Sequence, residues 1–158
     1  VQASLTGHLV LATLHTNDSV SAVTRLVDMG IEPFLLASSL SGVLAQRLVR
    51  RLCPACRERY PSGQREREMF PEWELPKDLY RATGCAECSG SGYSGRMGIF
   101  EILEIDPGIR ALIHDGAAEQ AVRDAAGSRQ LHTLRADARR WVSAGETSLE
   151  EIIRVTRS

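Results

Sequence analysis

The chain has no apolar run approaching the roughly 20 residues that cross a bilayer, so no membrane-spanning helix is expected. Its start, VQASLTGHLV, has neither the basic region nor the cleavage site of an export signal, and no initiator methionine. It reads as cut out of a longer chain. Neither charge sign is in surplus, with 19 Lys and Arg against 20 Asp and Glu, which weighs against a polyanion binder. There are no internal repeats and no low-complexity segment. G-x-x-x-x-G-K-[ST] does not occur, and no acidic strand stands ready to hold Mg²⁺. Phosphoryl transfer rests on positioning and charge neutralisation, so the chain alone lacks the means for it. There is no spare thiol either: all four cysteines fall into two C-x-x-C pairs.

Those pairs, Cys53-Pro-Ala-Cys56 and Cys85-Ala-Glu-Cys88, are separated by 28 residues. Each C-x-x-C sets two thiolates on one tight turn, and two such turns close a tetrahedron around one Zn²⁺. The intervening stretch exceeds the usual zinc-ribbon spacing of about 15–20 residues, so it should carry structure of its own, anchored by Phe70, Trp73 and Tyr80. Two disulfides, or a redox pair, are the competing readings. Without an export signal the first lacks its oxidising compartment, and polar spacers suit the second poorly. A closed four-sulfur site holds a fold together and does not activate water.

Along the chain, His8 to Leu14 is a continuous apolar run of strand length, expected in the middle of a parallel sheet. It ends in His15-Thr16-Asn17-Asp18, where an open α/β sheet presents its ligands; Asn17 or Asp18 can cap the next helix and leave His15 free. The spacing predicts a helix over 19–29 closed by Gly30, with Arg25 on its polar side. Glu32-Pro33 opens a second, longer helix whose stripe is Phe34, Leu36, Leu40, Val43, Leu44 and Leu48. Arg47, Arg50 and Arg51 would sit in its last turns, against the helix dipole or in contact with phosphate or lipid.

After Cys88 a stretch with four glycines leads not to the helix of a dinucleotide fingerprint but to a strand over 99–105 with one wet face. Helices follow over 108–114, 119–126 and 131–144. Thr147-Ser-Leu-Glu150 reads as a capping box before a last helix buried through Leu149, Ile152 and Ile153. The expected class is α/β, in three segments: 1–52, 53–92 and 93–158.

TGHLVLATLHTNDSVSAVTRLVDMGIEPFLLASSLSGVLAQRLVRRLC, the two cysteine pairs, GYSGRMGIFEIL and TSLEEIIRVT closely resemble the C-terminal part of the type II secretion ATPases. These are RecA-like hexameric motors of the type II/type IV secretion ATPase family, and the likeness covers essentially the whole chain. The resemblance makes 1–52 the end of a RecA-like ATPase core, 53–92 a tetracysteine zinc module, and 93–158 a strand plus a small helical module. It implies that His8 and His15 are the two histidines of the family's histidine box, near the nucleotide phosphates. It also implies that Arg25 and Arg96 lie near the nucleotide, and that Cys53, Cys56, Cys85 and Cys88 hold structural Zn²⁺.

The implied activity is that of a protein-secreting translocase hydrolysing ATP with Mg²⁺, the phosphate-binding loop and metal-binding acid lying upstream of Val1. The implied setting is a homo-hexamer at the inner face of the bacterial inner membrane, cytoplasmic and attached through a membrane partner's cytoplasmic domain, driving pseudopilus assembly and protein export. A type IV pilus assembly ATPase shares the box and the cysteines. Retraction ATPases share the box but lack the cysteines. A zinc-ribbon nucleic-acid binder, supported by Arg47 to Arg51 beside Cys53, and a structural adaptor are readings of another class. The net charge and the lack of an aromatic-basic strand pattern argue against nucleic acid.

Overall fold

The computed structural model describes residues 1–129 and 131–156, so the expected third segment, 93–158, runs two residues past the last described one. The order is α1 (Gln2–Leu5), α2 (Ser19–Asp28), α3 (Pro33–Ser39), β1 (Gly42–Leu52), β2 (Glu58–Pro61) and α4 (Gln64–Met69), followed by β3 (Asp78–Arg81), β4 (Tyr93–Glu104), α5 (Pro107–His114), α6 (Glu119–Ser128), α7 (Leu134–Ser143) and α8 (Leu149–Thr156). β1 pairs with β4, and β2 with β3. The chain folds as two units, one from Val1–Ala45 with Glu101–Thr133, the other from Gln46–Phe100 with Leu134–Ser158. Among the described residues no helix is long and apolar enough to cross a membrane.

In the first unit, Asp18 starts α2 by accepting the Ser21 N–H at 2.8 Å, the side-chain cap that short acidic residues supply. Gly30 ends the helix in the left-handed region at φ +88°, as expected of a closing glycine. Val20 and Val23 of α2 and Leu36 and Ala37 of α3 pack with Leu103, Ile105, Ile109, Ile113, Val122 and Ala126. Asp106 caps α5, accepting from Gly108 N and Ile109 N at 2.8 Å each. Arg110 of α5 donates to the carbonyl oxygens of Ala37 and Ile105.

The second expected helix is cut short. α3 stops at Ser39, and Gly42 to Leu52 is a strand whose exposure alternates along most of its length. The apolar residues of 43–52 satisfy both a helical stripe and a period of two. Two local features break the helix. Ser38 and Ser39 turn their hydroxyls back onto the Phe34 and Leu35 carbonyls, and serine competes with the helical backbone in this way. The decision is non-local: β4, some 50 residues on, supplies the hydrogen-bonding edge. Arg47, Arg50 and Arg51 therefore lie on a strand and have no helix dipole to complement.

β4 is longer than expected, beginning at Tyr93 inside the glycine-rich stretch. Its inward face also differs from a plain apolar-acidic alternation. Ile99, Leu103 and Ile105 are buried as expected, but so is Glu101, at 5% exposure, while Ile102 is 57% exposed. Glu101 is held because it accepts two hydrogen bonds from Ser19, so burial does not leave it unsatisfied. The expected helix over 131–144 begins at Leu134, since His132 pairs with Ile102 as an antiparallel bridge instead.

In the second unit, Val49, Phe70, Leu79, Ile99, Ala138, Leu149 and Ile152 form the core, with the Phe70 and Trp73 rings 4.4 Å apart. β2 and β3 pair antiparallel from Glu58 opposite Arg81 to Pro61 opposite Asp78. These give the intervening segment the structure its length required, and Phe70 and Trp73 are buried as expected.

The capping box before α8 shifts by one residue. Ser148 Oγ accepts the Glu151 N–H at 3.3 Å, while Thr147 Oγ1 donates to the Arg50 carbonyl. The carboxylate that would reach back to the cap is taken up elsewhere. Glu151, 1% exposed, accepts from Arg50 N, Nε and Nη2 at 2.8–2.9 Å and from Arg154 Nε and Nη2 at 2.8 and 2.6 Å.

Burial alone would raise the Glu151 pKa. The Arg154 and Arg50 bonds overcome it and hold the group at about 2, against an ordinary 4.5. A depressed carboxylate contributes stability that is complete above pH 4.5 and fades as pH falls toward 2. The full shift corresponds to about 3 kcal/mol, and screening at the half-exposed guanidiniums reduces it to about 1–2 kcal/mol. Urea titrations across that window should show the loss, and Glu151→Gln should be less stable at neutral pH with a flatter acid limb. An unchanged acid limb in the variant would remove Glu151 from this role.

Candidate metal centre

The cysteines reach one point through two tight turns. β1 ends at Leu52, and Cys53 N donates to the Gly92 carbonyl at 2.9 Å. Cys53 O then accepts from Cys56 N at 3.3 Å and Arg57 N at 2.9 Å, closing the first turn. The second is a 3₁₀ turn, Ala86–Cys88, followed by Ser89 in the left-handed region at φ +51°. Gly90 N donates to Cys85 O at 2.8 Å. Thr83 Oγ1 donates to the Cys56 carbonyl and ties the two turns together.

The segments flanking the second turn touch backbone to backbone. Gly84 and Gly92 have φ of +97° and +74°, and a Cβ on either would fall 2.5 Å from Gly90 O or Ala82 Cβ respectively. Glycine is needed at both for conformation and for room.

All four sulfur atoms lie within 4.8 Å of one another. Cys53 to Cys85 is 4.0 Å, and Cys56 to Cys88 and Cys85 to Cys88 are 3.8 Å. A regular tetrahedron with Zn–S near 2.3 Å has sulfur–sulfur edges of about 3.8 Å. The donor set fits a tetrahedral thiophilic ion. A disulfide needs sulfurs about 2.05 Å apart, so that reading fails, and all four cysteines are free. With four sulfurs on one point no coordination position is left for a reacting water.

The thiols are not equivalent. The Cys85 N–H, with that of Gly92, donates to Cys88 Sγ, each at 3.2 Å. The Cys85 N–H, outweighing the effect of burial, brings Cys88 down to about 6. For Cys85 the Cys88 backbone bond lowers the value, but burial and bonds from the neighbouring thiols push it up to about 11. The N–H groups aimed at Cys88 Sγ favour its thiolate form, and binding of a cation would expel the protons of the other thiols.

The other expected site residues lie apart from this centre. His8, His15 and Arg25 belong to the first unit, Arg96 to the second, and all four are exposed. His8 Nδ1 lies 2.9 Å from Thr6 Oγ1 and 3.2 Å from the Ala3 carbonyl. No hydrogen bond or ion pair joins His8, His15 and Arg25 to one another among the described residues. The run from His8 to Leu14 is not the strand its composition predicts. It is irregular, with Leu9 and Leu11 each 88% exposed, because a central strand needs neighbours on both edges and cover on both faces.

What is ordered is the end of that run. Asp18 caps α2 and accepts from Arg123 Nη2 at 3.2 Å. Burial would raise the Asp18 pKa, but the Ser21 N–H and the Arg123 charge more than offset it and lower it. Glu101 Oε1 accepts from Ser19 N at 2.8 Å and Ser19 Oγ at 2.5 Å. This clamp, four residues beyond His15, was missed from the sequence. Its signal was an acidic residue on the inward register of β4, a place an acid occupies only with a partner.

Metal analysis of protein prepared without added zinc should find close to one equivalent per chain, with proton release on reloading after chelation. Cys85→Ser should lose the metal and the ordered exchange-protected amides of 53–92, because binding free energy here is folding free energy. A metal-free protein with two disulfides by mass would contradict the assignment.

The family model described as "Type II/IV secretion system protein" matches residues 1–154. The chain is 59% identical over 157 residues to the type II secretion system protein HxcR of Pseudomonas aeruginosa, covering 99% of this chain and 30% of that protein. It is 54% identical over 158 residues to the type II secretion system ATPase E of Vibrio cholerae, covering 99% of this chain and 31% of that protein. The chain thus spans about a third of the length of the curated relatives it matches. A crystal structure of the pilus retraction motor PilT with bound ADP is similar in fold, with a TM-score of 0.60 over 96% of this chain and 33% of that one at 19% identity. On the span of the family match and the identity to these relatives, the chain belongs to the type II/IV secretion system protein family.

Proposed function

We propose that the chain is the C-terminal part of a secretion ATPase, which as a whole protein couples ATP hydrolysis to pseudopilus assembly and protein export by type II secretion. The observation that carries this is identity of about half or more, across essentially the whole chain, to proteins named for type II secretion, one of them an ATPase. The type IV pilus assembly reading shares the cysteines and is less well supported by the relatives named above.

In this reading residues 1–52 close the RecA-like core, 53–92 are the zinc module and 93–158 the strand and helical module. Zn²⁺ on Cys53, Cys56, Cys85 and Cys88 is structural. ATP and Mg²⁺ are bound through a phosphate-binding loop and a metal-binding acid that these 158 residues do not contain. His8 and His15 stand near the phosphates, and Arg25 and Arg96 contribute cationic contacts to the nucleotide. The whole protein is a homo-hexamer at the cytoplasmic face of the inner membrane, held there by a membrane partner's cytoplasmic domain, with no role for nucleic acid.

The mechanistic weight falls on His15. It precedes the Asp18 cap by three residues, and its exposed ring can donate to a γ-phosphate oxygen or hold a water in either protonation state. The clamp of Glu101 on Ser19 and of Arg123 on Asp18 limits how far the segment can drift. A neutral ring senses geometry without the product inhibition a fixed charge brings.

In the intact protein, His15→Ala should lower kcat by roughly 10²–10³-fold while ATP affinity stays nearly unchanged, the pattern of an interaction made in the transition state. Normal turnover with a lower melting temperature would make His15 structural. The 158-residue chain alone should not hydrolyse ATP. Turnover by it that disappears with His15→Ala would overturn that part of the reading.

A further inference from the structure

The three arginines expected to complement a helix dipole have a different setting once 42–52 is a strand. In the second unit, Arg50 of β1, Arg96 of β4 and Arg154 of α8 line one cleft of about 380 Å³ together with Leu48 among the described residues. None of the four is acidic. Among the described residues, the carboxylate bonded to the cluster is that of Glu151, itself buried and joined to Arg50 and Arg154. Three guanidiniums against one carboxylate leave two positive charges in excess.

Those bonds orient the arginines and do not exhaust them. Arg50 gives Glu151 its Nε and Nη2, and Arg154 gives the same pair of atoms. On each the Nη1 amino group, with two N–H donors, is uncommitted among the described residues. Arg50 is further fixed by stacking on Tyr93, its Cζ 3.9 Å from the ring centroid, a contact that holds the guanidinium plane without using a donor. Arg96 forms no ion pair with any described residue and keeps its whole fork. A buried carboxylate thus pre-pays the ordering of two arginines whose remaining donors border a cleft shared with a third.

Arginine forks match tetrahedral oxyanions and planar carboxylates. The excess of two charges and the supply of nine N–H donors, two each from Arg50 and Arg154 and five from Arg96, suit a phosphate better than one carboxylate. The geometry points to a phosphate-binding cleft built by Arg50, Arg96 and Arg154, preorganised by Glu151 and Tyr93. This rests on the nucleotide role given to Arg96 above and extends it, adding two arginines and naming the ligand chemistry. The phosphate can be that of a nucleotide or of a lipid headgroup.

The test is calorimetric titration of the intact, zinc-loaded protein with inorganic pyrophosphate at low ionic strength, and in parallel co-sedimentation with vesicles of phosphatidylcholine and phosphatidylglycerol. Arg96→Ala and Arg154→Ala should each weaken whichever binding is seen by roughly tenfold or more, the loss expected for bonds to a charged group, and added salt should weaken it further. Arg96→Lys should recover only part. Arg65→Ala, on α4 and outside the cleft, should change nothing. Circular dichroism must show each variant folded, and Arg96, exposed and without an ion-pair partner, is the variant least exposed to that objection.

Pyrophosphate binding without vesicle binding assigns the cleft to soluble phosphates, and the reverse assigns it to headgroups. Binding that Arg96→Ala leaves untouched, or no binding of either probe at millimolar phosphate, overturns the cleft. Failure of the ATPase reading would appear separately, as absence of ATP turnover by the intact protein with pyrophosphate binding intact.

Discussion

Four sulfur atoms in the second unit have to meet within 4.8 Å, and much of that unit's backbone is shaped by the requirement. Cys53 follows directly on β1 and Cys88 leads through four residues into β4, so the meeting point also sets where those strands end and begin. The two glycines whose Cβ would clash, the left-handed Ser89 and the N–H groups aimed at Cys88 Sγ are all consequences of bringing two turns onto one point. The donor set fits one tetrahedral thiophilic cation, whose binding free energy would be folding free energy.

The two buried carboxylates show a second economy. Glu101, on β4, and Glu151, in the first turn of α8, each accept hydrogen bonds from several donors. Glu101 fastens the first residue of α2 to β4, and Glu151 fastens α8 to the Arg50 backbone and to two guanidiniums. A buried acid is costly without partners and strongly directional with them. Both carboxylates therefore fix the register of a helix against a strand far away in sequence. In the first unit that register governs the segment just after His15. In the second it arranges the cationic cleft.

Much of this was legible beforehand. The spacing of the cysteines identified the four sulfurs that meet at one point, Asp18 and Gly30 marked the two ends of α2, and Pro107 and Gly145 marked the start of α5 and the close of α7. Two kinds of feature were not. Residues 43–52 fit two periods equally well, and only the presence of β4 chose between them. Residues 8–14 have the composition of a central strand but find no sheet to enter among the described residues. A strand is not a local structure: its hydrogen bonds are made by another segment, whereas a helix satisfies its own.

The sequence by itself determined what is local or combinatorial. It set the helix caps, the tight turns, the four sulfurs that meet at one point, and enough motif to place the chain in its family. The tertiary structure decided what depends on distant partners. It decided that Glu101 is buried and Ile102 exposed, that Glu151 faces two arginines and leaves the helix cap, and that Arg50, Arg96 and Arg154 share one cleft. Those three arginines are separated by 46 and 58 positions in the chain. No periodicity of a helix or strand relates residues so far apart, and only the pairing of β1 with β4 and the packing of α8 bring their charges together.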